Sequence, residues 1–119
     1  MPLLLILFIL YIPVHFIPMT FFGYPRACGA PGIRNCVAVI SVELAVNPIV
    51  ARIADEVRGA LPVLHKQGIG HLAPDQERIV WVLRGWVQNP NVGAALLVDV
   101  GYGMLPVDQV MDGLNAVGK

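Results

Sequence analysis

A strand pattern is followed at once by a helix pattern in the stretch CVAVISVELAVNPIVARIADEVRG, residues 36–59. Its opening run, residues 36–40, is almost wholly apolar, as in a strand buried on both faces of a parallel sheet. Asn47-Pro48 then predicts a helix N-cap with proline in the first helical position. Gly59 marks the end of this helix. Its predicted inner face consists of apolar residues at helical spacing, namely Ile49, Val50, Ile53, Ala54 and Val57.

The same alternation continues toward the end of the chain. Residues 61–64 are predicted as a second strand that closes at His65, and residues 94–100 as a third. Helices are predicted over about residues 75–86 and over residues 106–117. Their predicted inner faces are Ile79, Val80, Leu83 and Trp86 in the first of these, and Val107, Val110, Met111, Leu114 and Val117 in the second. Trp81 is also interpreted as a packing residue.

The order of these elements predicts an α/β protein. We expect a three-layer Rossmann-like βαβαβα unit with a small parallel sheet and right-handed crossovers. Three strands are few for a free-standing sheet, and they leave an edge without cover. The unit is therefore expected to be a fragment of a larger domain, completed by further chain or by a partner.

Composition and charge limit the possible classes of protein. Hydrophobic residues make up 56% of the chain and charged residues 13%, which excludes a disordered polypeptide. Eight acidic residues balance eight basic ones, and the absence of a basic run argues against a nucleic-acid partner. Cys28 and Cys36 are predicted to be free thiols in a cytoplasmic protein, with a disulfide between them as the alternative.

Residues 1–22 form an apolar N-terminal segment that differs from the rest. No Asp, Glu, Lys or Arg precedes Arg26, and the stretch up to Phe22 approaches the length of about 20 residues that a membrane helix needs. Pro13 and Pro18 would interrupt such a helix. Three interpretations stay open: a membrane anchor, a non-native extension, or an apolar arm that packs on a partner.

Candidate chemistry is expected where the predicted strands end, because open parallel α/β sheets bind ligands beyond the carboxyl ends of their strands. His65 lies at such an end and either faces a ligand or is satisfied by loop carbonyl groups. Glu43 has a suitable position for a base, and Asp99 is either functional or a helix cap. His65, His71 and Asp75 match no tight metal-ligand spacing.

Residues 23–35, GYPRACGAPGIRN, resemble the opening motif of the altronate/galactarate dehydratase family, roughly Gly-Tyr-x-Arg-x-x-Gly-x-x-Gly-x-Arg-Asn. The resemblance continues in order through residues 51–54, Leu61-Pro62 with His65, and residues 89–92 before the third strand. It covers about residues 20–103, and residues 23–119 are predicted to form the α/β domain.

This resemblance implies elimination of water from a sugar acid, an aldonate or aldarate, to give a 2-keto-3-deoxy acid. It also implies a divalent metal, iron or manganese, whose ligands cannot be identified in this sequence. Arg34 would clamp the substrate carboxylate through its guanidinium fork, with Asn35 beside it. His65 would be an acid, a base or a ligand. Loop anchoring is the alternative for Arg34 and Asn35.

Three departures from the family pattern fall at strand ends. Ile69 and the Leu44-Ala45 pair stand where the family shows cysteine, and residues 101–103, Gly-Tyr-Gly, stand where it shows Gly-Cys-Glu. Family enzymes are also several times longer. We therefore expect a dehydratase-like protein that needs missing regions or a homo-oligomeric partner for activity. The alternative is a non-catalytic remnant or sugar-acid-binding module, with membrane attachment through residues 1–22 as a further option.

Overall fold

The computed structural model describes residues 20, 22–27, 29–67, 70–115 and 117. Within them, one parallel sheet contains three strands in the order β2-β1-β3. The strands are β1 (Cys36–Ser41), β2 (Ala60–Val63) and β3 (Val92–Val98). Because β1 pairs on both sides, its last four residues are buried. The prediction of a central strand buried on both faces is confirmed.

Helices cover both faces of the sheet. They are α1 (Asn47–Glu56), α2 (Ala73–Gln88) and α3 (Val107–Asn115), and a short 3₁₀ turn, Leu44–Val46, precedes α1. The side chains of β1 alternate between the faces, as a strand requires. Val39 packs in a cluster with Val50 and Ala54 of α1, whereas the cluster on the opposite face contains Ala38, Ile40, Val42, Val80, Leu83, Val87, Val110 and Leu114. The predicted three-layer α/β unit is confirmed.

The predicted N-cap of α1 is wrong by one position. The helix begins at Asn47 itself, Val46 occupies the capping position, and no side chain caps the helix. The Asn47 amide instead donates a hydrogen bond of 2.7 Å to the backbone oxygen of His65. Asn47 therefore ties the loop after β2 to the start of α1. Gly59 has a φ of +87°, which fits the predicted helix end.

Several predicted core residues are exposed instead. They are Ile49 of α1, Val57 directly after α1, Trp81 and Trp86 of α2, and Met111 of α3. The reason is that a three-stranded sheet is narrow, so each helix buries only a thin stripe against it. In α1 the two fully covered residues are Val50 and Ala54, one helical turn apart.

The segment predicted as an anchor or extension, residues 1–22, lies outside the described residues except for positions 20 and 22. In the part of the chain that the structure describes, no helix has the length and apolar character that crossing a membrane requires. Cys36 is a free thiol, as predicted, and Cys28 also lies outside the described residues.

Candidate functional site at the carboxyl edge of the sheet

His65 follows β2 and binds across to the end of β1. Its Nε2 lies 3.0 Å from the backbone oxygen of Ser41 and 3.1 Å from that of Val42, while the backbone N–H of Gln67 donates to Nδ1 at 3.1 Å. Because Nδ1 accepts a hydrogen bond, the network assigns the ring proton to Nε2, which donates to the two carbonyls. Both ring nitrogens are thus engaged within the protein.

The loop carrying His65 is held from a second side as well. The Asn47 amide donates to the backbone oxygen of His65, and the backbone N–H of Leu44 donates to the backbone oxygen of Gln67 at 2.8 Å. These bonds join the loop after β2 to the turn after β1. The alternative interpretation of His65, a side chain satisfied by loop carbonyl groups, matches this geometry.

A groove of about 510 Å³ opens between the carboxyl end of β2 and helix α2. Its polar lining comes from His65, Gln67, His71, Asp75 and Arg78, and its apolar lining from Val63, Leu64, Ile79, Val82, Leu83 and Trp86. Concave sites with an apolar wall and a few convergent polar groups are the usual form of small-molecule sites. The groove is therefore the candidate binding site of this chain.

His71 lies in this groove in a different state from His65. Its Nε2 is buried and has no hydrogen-bond partner among the described residues, and its backbone oxygen accepts a 3.1 Å bond from the Gln76 amide. Arg78 supplies a positive charge in the same lining. His65, His71 and Asp75 share the groove, yet the described residues contain no group of three or more His, Cys, Asp or Glu side chains placed to hold a metal ion.

Two carboxylates converge beside the groove, where β1 and β3 end. Glu43 is 1% exposed, and its Oε1 accepts a 3.2 Å hydrogen bond from the backbone N–H of Met104. Asp99 Oδ2 accepts a 3.0 Å bond from the backbone N–H of Gly101. The other oxygens, Glu43 Oε2 and Asp99 Oδ1, are buried without a partner in the described part of the chain.

Gly103 makes this convergence possible. A Cβ on Gly103 would overlap Glu43 Oε1 and would lie 3.2 Å from Asp99 Oδ1. Both carboxylates therefore surround the same point, and only glycine leaves that point free. The family pattern given above has glutamate at the position of Gly103.

Arg34 and Asn35 lie at the opposite, amino edge of the sheet, directly before β1. Arg26 organises this edge: its Nε donates to the backbone oxygen of Pro90 at 2.7 Å, its Nη1 to Asn35 Oδ1 at 2.9 Å, and its Nη2 to the backbone oxygen of Arg34 at 3.1 Å. Asn91 Oδ1 accepts hydrogen bonds from the backbone N–H groups of Ile33 and Arg34, at 3.0 and 3.1 Å. The Asn35 side chain thus anchors a loop, whereas the Arg34 side chain is exposed.

The structure does not bring the three predicted site residues together. Arg34 and Asn35 precede the first residue of β1, and His65 contacts the backbone of its last residue, Ser41. Asn35 and Ser41 are six residue steps apart along the extended chain, which corresponds to about 20 Å. Within one copy of this chain, Arg34 and His65 cannot contact the same small sugar acid.

Sequence reasoning missed the residues that carry most of this geometry. Arg26 matched the family motif, but nothing in the linear sequence showed that its guanidinium would reach Pro90, 64 positions away. Asn91 is noted in the sequence only as part of residues 89–92 of the family resemblance. The sequence places Glu43 correctly, directly after the first predicted strand. Its burial could not be predicted, because it depends on contacts with residues 103 and 104.

The described geometry defines a parallel α/β unit whose polar side chains gather at the carboxyl edge, the arrangement of small-molecule enzymes and binding proteins. Residues 23–119 match the family model described as D-galactarate dehydratase/altronate hydrolase, second domain, and the chain belongs to this family. The resemblance drawn from the sequence is confirmed.

A curated relative supports the same class of protein. The chain is 34% identical over 100 residues to the (2R)-sulfolactate sulfo-lyase subunit beta of Chromohalobacter salexigens. The match covers 84% of this chain and 25% of that protein, so the chain spans about a quarter of the length of this relative. No solved structure matches. Both comparisons relate the chain to lyases.

Proposed function

We propose that this chain forms part of a lyase that removes water from a 2-hydroxy acid, an aldonate or aldarate, to give a 2-keto-3-deoxy acid. The proposal rests on the groove at the carboxyl end of β2, where two histidines and Arg78 lie beside an apolar wall. Altronate, galactarate and sulfolactate all carry a hydroxyl on the carbon next to a carboxylate. The shared chemistry of the family and of the relative supports this substrate class.

The reaction requires a base, an acid and positive charge. A base takes the proton from the carbon that bears the 2-hydroxyl, the C3–O bond breaks, and the leaving hydroxide takes up a proton to leave as water. The resulting enol then tautomerises to the 2-keto acid. Positive charge must stabilise the enediolate-like state that forms as the proton leaves. In the groove, the Arg78 guanidinium is suited to hold the substrate carboxylate.

His71 is better placed for proton transfer than His65. The His71 Nε2 has no partner among the described residues, whereas both nitrogens of His65 are engaged. We therefore assign His65 as a positioning residue that joins two loops, and His71 as the group that exchanges a proton with the substrate. A direct acid–base role for His65 stays a prediction, and it requires the ring to give up one of its bonds.

The roles proposed for Arg34 and Asn35 require another chain segment. Because they lie at the far edge of the sheet, Arg34 can act as a carboxylate clamp only for a substrate held by a neighbouring copy or by further domains. The relative is a beta subunit, which supports assembly with a partner. We propose that activity needs such a partner, either a second copy or the region corresponding to the remaining length of the relative.

A sugar-acid-binding module is the second candidate function. It is favoured by the engaged ring of His65 and by Gly101-Tyr102-Gly103, which lacks the side chains that the family pattern places there. A binding module would keep the groove and its affinity for the acid without turnover.

One experiment separates the two candidates. The purified full chain is incubated with altronate or galactarate in the presence of Fe²⁺, Mn²⁺ or Mg²⁺, and the keto-deoxy acid and the binding heat are both measured. The lyase proposal expects product from the chain alone if a second copy completes the site, and otherwise after addition of the candidate partner. In either case His71→Gln should abolish the product, while Asp112→Asn, an exposed position on α3, should have no effect. Binding without product for any metal, repeated after addition of a candidate partner, supports the binding module. Neither binding nor product contradicts both functions.

A further inference from the structure

Both tryptophans of the chain lie on the solvent-exposed side of α2, whose buried residues face the sheet. Trp81 is 75% exposed, and Trp86 and Val82 are each 46% exposed. Trp81 and Val82 are neighbours in sequence, and Trp86 follows Val82 by one helical turn, so the three side chains form one contiguous patch. Exposed apolar patches of this kind on a folded protein mark sites of interaction.

Gly85 makes a hollow in this patch. It lies one helical turn after Trp81, and a groove of about 540 Å³ opens around it with both tryptophans in its lining. A Cβ on Gly85 would meet no described atom within 4 Å, and the backbone there is ordinary helix without a positive φ. Glycine weakens a helix interior, and no contact among the described residues requires it at this position. The hollow is therefore suited to receive a side chain from another molecule.

Two opposite charges flank Trp81 along α2. Glu77 lies one turn before it and Arg84 one turn after it, and neither forms an ion pair with another described residue. If a second copy of α2 runs antiparallel to the first about a two-fold axis near Trp81, each Glu77 comes within one turn of Arg84 of the other copy. A parallel arrangement would instead place like charges opposite each other. The face is therefore complementary to itself in the antiparallel orientation.

We propose that this face of α2 is the interface with a second copy of the chain, in an antiparallel contact that buries Trp81 and Trp86 of both copies. In this contact, Trp81 of each copy packs against the hollow at Gly85 of the other. Covering the exposed parts of the two tryptophans would remove roughly 300 Å² of surface per copy. Together with the surrounding rim, the contact approaches the total of about 1,200 Å² at which specific interfaces begin. We therefore expect a dimer of roughly micromolar strength.

The proposed contact borders the candidate groove. Val82 and Trp86 line both the hollow at Gly85 and the groove between β2 and α2. A second copy on this face would therefore lie along the outer wall of the candidate groove and would be the partner that the proposed lyase requires. This consequence rests on the proposed function, whereas the contact between the two copies does not.

The test is self-association of the purified full chain. Sedimentation velocity should show an average mass that rises from one chain to two between about 1 and 500 μM, a range that brackets micromolar affinity. Because both tryptophans of the chain lie on this face, their fluorescence reports the same event. Their emission should move to longer wavelength on dilution through this range, because both indole rings return to water.

Three single variants test the contact surface. Gly85→Gln should keep or raise the Tm of the monomer, because glycine is the poorer helix residue, while weakening the dimer by about tenfold or more. Trp81→Gln should weaken the dimer to a similar extent, because it removes the most exposed side chain of the patch. Ile49→Gln removes an exposed apolar side chain of α1 and is the matched control, which should leave the dimer unchanged.

The flanking charges distinguish a second copy from any other occupant of this face. Glu77→Arg and Arg84→Glu should each weaken the dimer, because each brings like charges within one turn of one another. The double variant restores opposite charges across the two-fold axis and should recover the affinity of the parent. An occupant other than a second copy would not respond to the exchange in this way.

Three results would overturn the proposal. They are a parent chain that stays monomeric up to about 500 μM, a dimer that Gly85→Gln and Trp81→Gln leave unchanged, and a double charge variant as weak as the single ones. The first result includes the case in which residues 1–18 of the same chain cover the tryptophans, and deleting these residues would then shift the emission of the monomer. If Gly85→Gln does not fold, Trp81→Gln decides the question. A dimer that forms as expected without eliminating water counts only against the lyase function.

Discussion

Replacing Arg26 by alanine should destabilise the fold, although Arg26 lies far from the groove. The guanidinium makes three hydrogen bonds that join two segments, the loop before β1 at Asn35 and Arg34 and the turn before β3 at Pro90. The bond to Pro90 is partly buried, and a hydrogen bond from a charged donor contributes about 1.5 kcal/mol. The two exposed bonds contribute less, together about 1 kcal/mol. We expect Arg26→Ala to lower the free energy of unfolding by about 2.5 kcal/mol.

The measurement is urea unfolding followed by circular dichroism, with thermal unfolding as a second reading. For a domain of this size, about 1 kcal/mol corresponds to roughly 4–8 °C in Tm, so Arg26→Ala should melt at least ~10 °C below the parent. Arg34→Ala is the matched control: it removes an exposed guanidinium from the same loop and should change the free energy of unfolding by no more than about 0.5 kcal/mol.

Arg26→Lys tests the geometric part of the argument. A lysine keeps the positive charge, but its single ammonium cannot reach the three acceptors that the planar fork contacts together. This variant should therefore recover less than half of the lost stability. The reasoning fails if Arg26→Ala unfolds like the parent, if Arg34→Ala is destabilised equally, or if Arg26→Lys restores the full stability.

Three further predictions concern the core and the carboxyl edge. Ile40→Ala, at a fully buried position of β1, should cost about 2–5 kcal/mol in urea unfolding, whereas Val37→Ala, at an exposed position, should cost less than about 1 kcal/mol. His65→Ala removes the ring that links two loops and should cost about 1–3 kcal/mol; a parent-like unfolding curve would contradict its positioning role. Gly103→Ala should displace the Glu43 carboxylate, because the added Cβ would overlap Glu43 Oε1, and should cost about 1–3 kcal/mol in urea unfolding; a parent-like unfolding curve would show that Glu43 Oε1 does not lie against Gly103.

The sequence was sufficient for the layers because the layers depend on local patterns. The apolar run before Ser41 is typical of a strand buried on both faces, and Pro48 and Gly59 indicate where the following helix begins and ends. What the patterns could not give was the width of the sheet. Trp86 and Ile49 fit helical stripes equally well on a wide or a narrow sheet, and they are exposed because this sheet has three strands in the described part of the chain.

The candidate site was predicted less well, because its contacts join residues distant in sequence. The sequence places His65 correctly at a strand end. It does not distinguish a ring that faces a ligand from a ring that binds loop carbonyl groups, because the carbonyls of Ser41 and Val42 come from another strand end. Arg34 and its neighbour Asn35 belong to the family motif that identified the chain. The motif directly precedes β1, so its last residues must lie at the amino end of that strand. Matching residues to the motif does not by itself use this order.

The two edges of the sheet explain why one copy of this chain is expected to be insufficient. The amino edge holds the family motif and an exposed Arg34, while the carboxyl edge holds the groove between β2 and α2 together with Glu43 and Asp99. About 20 Å of β1 separates them, which exceeds the length of a six-carbon sugar acid. If Arg34 acts on substrate at all, it acts on substrate bound by another copy or domain. In a mixture of Arg34→Ala and His71→Gln chains, each inactive alone, assembly would then restore part of the activity, whereas a site contained in one chain would not allow such complementation.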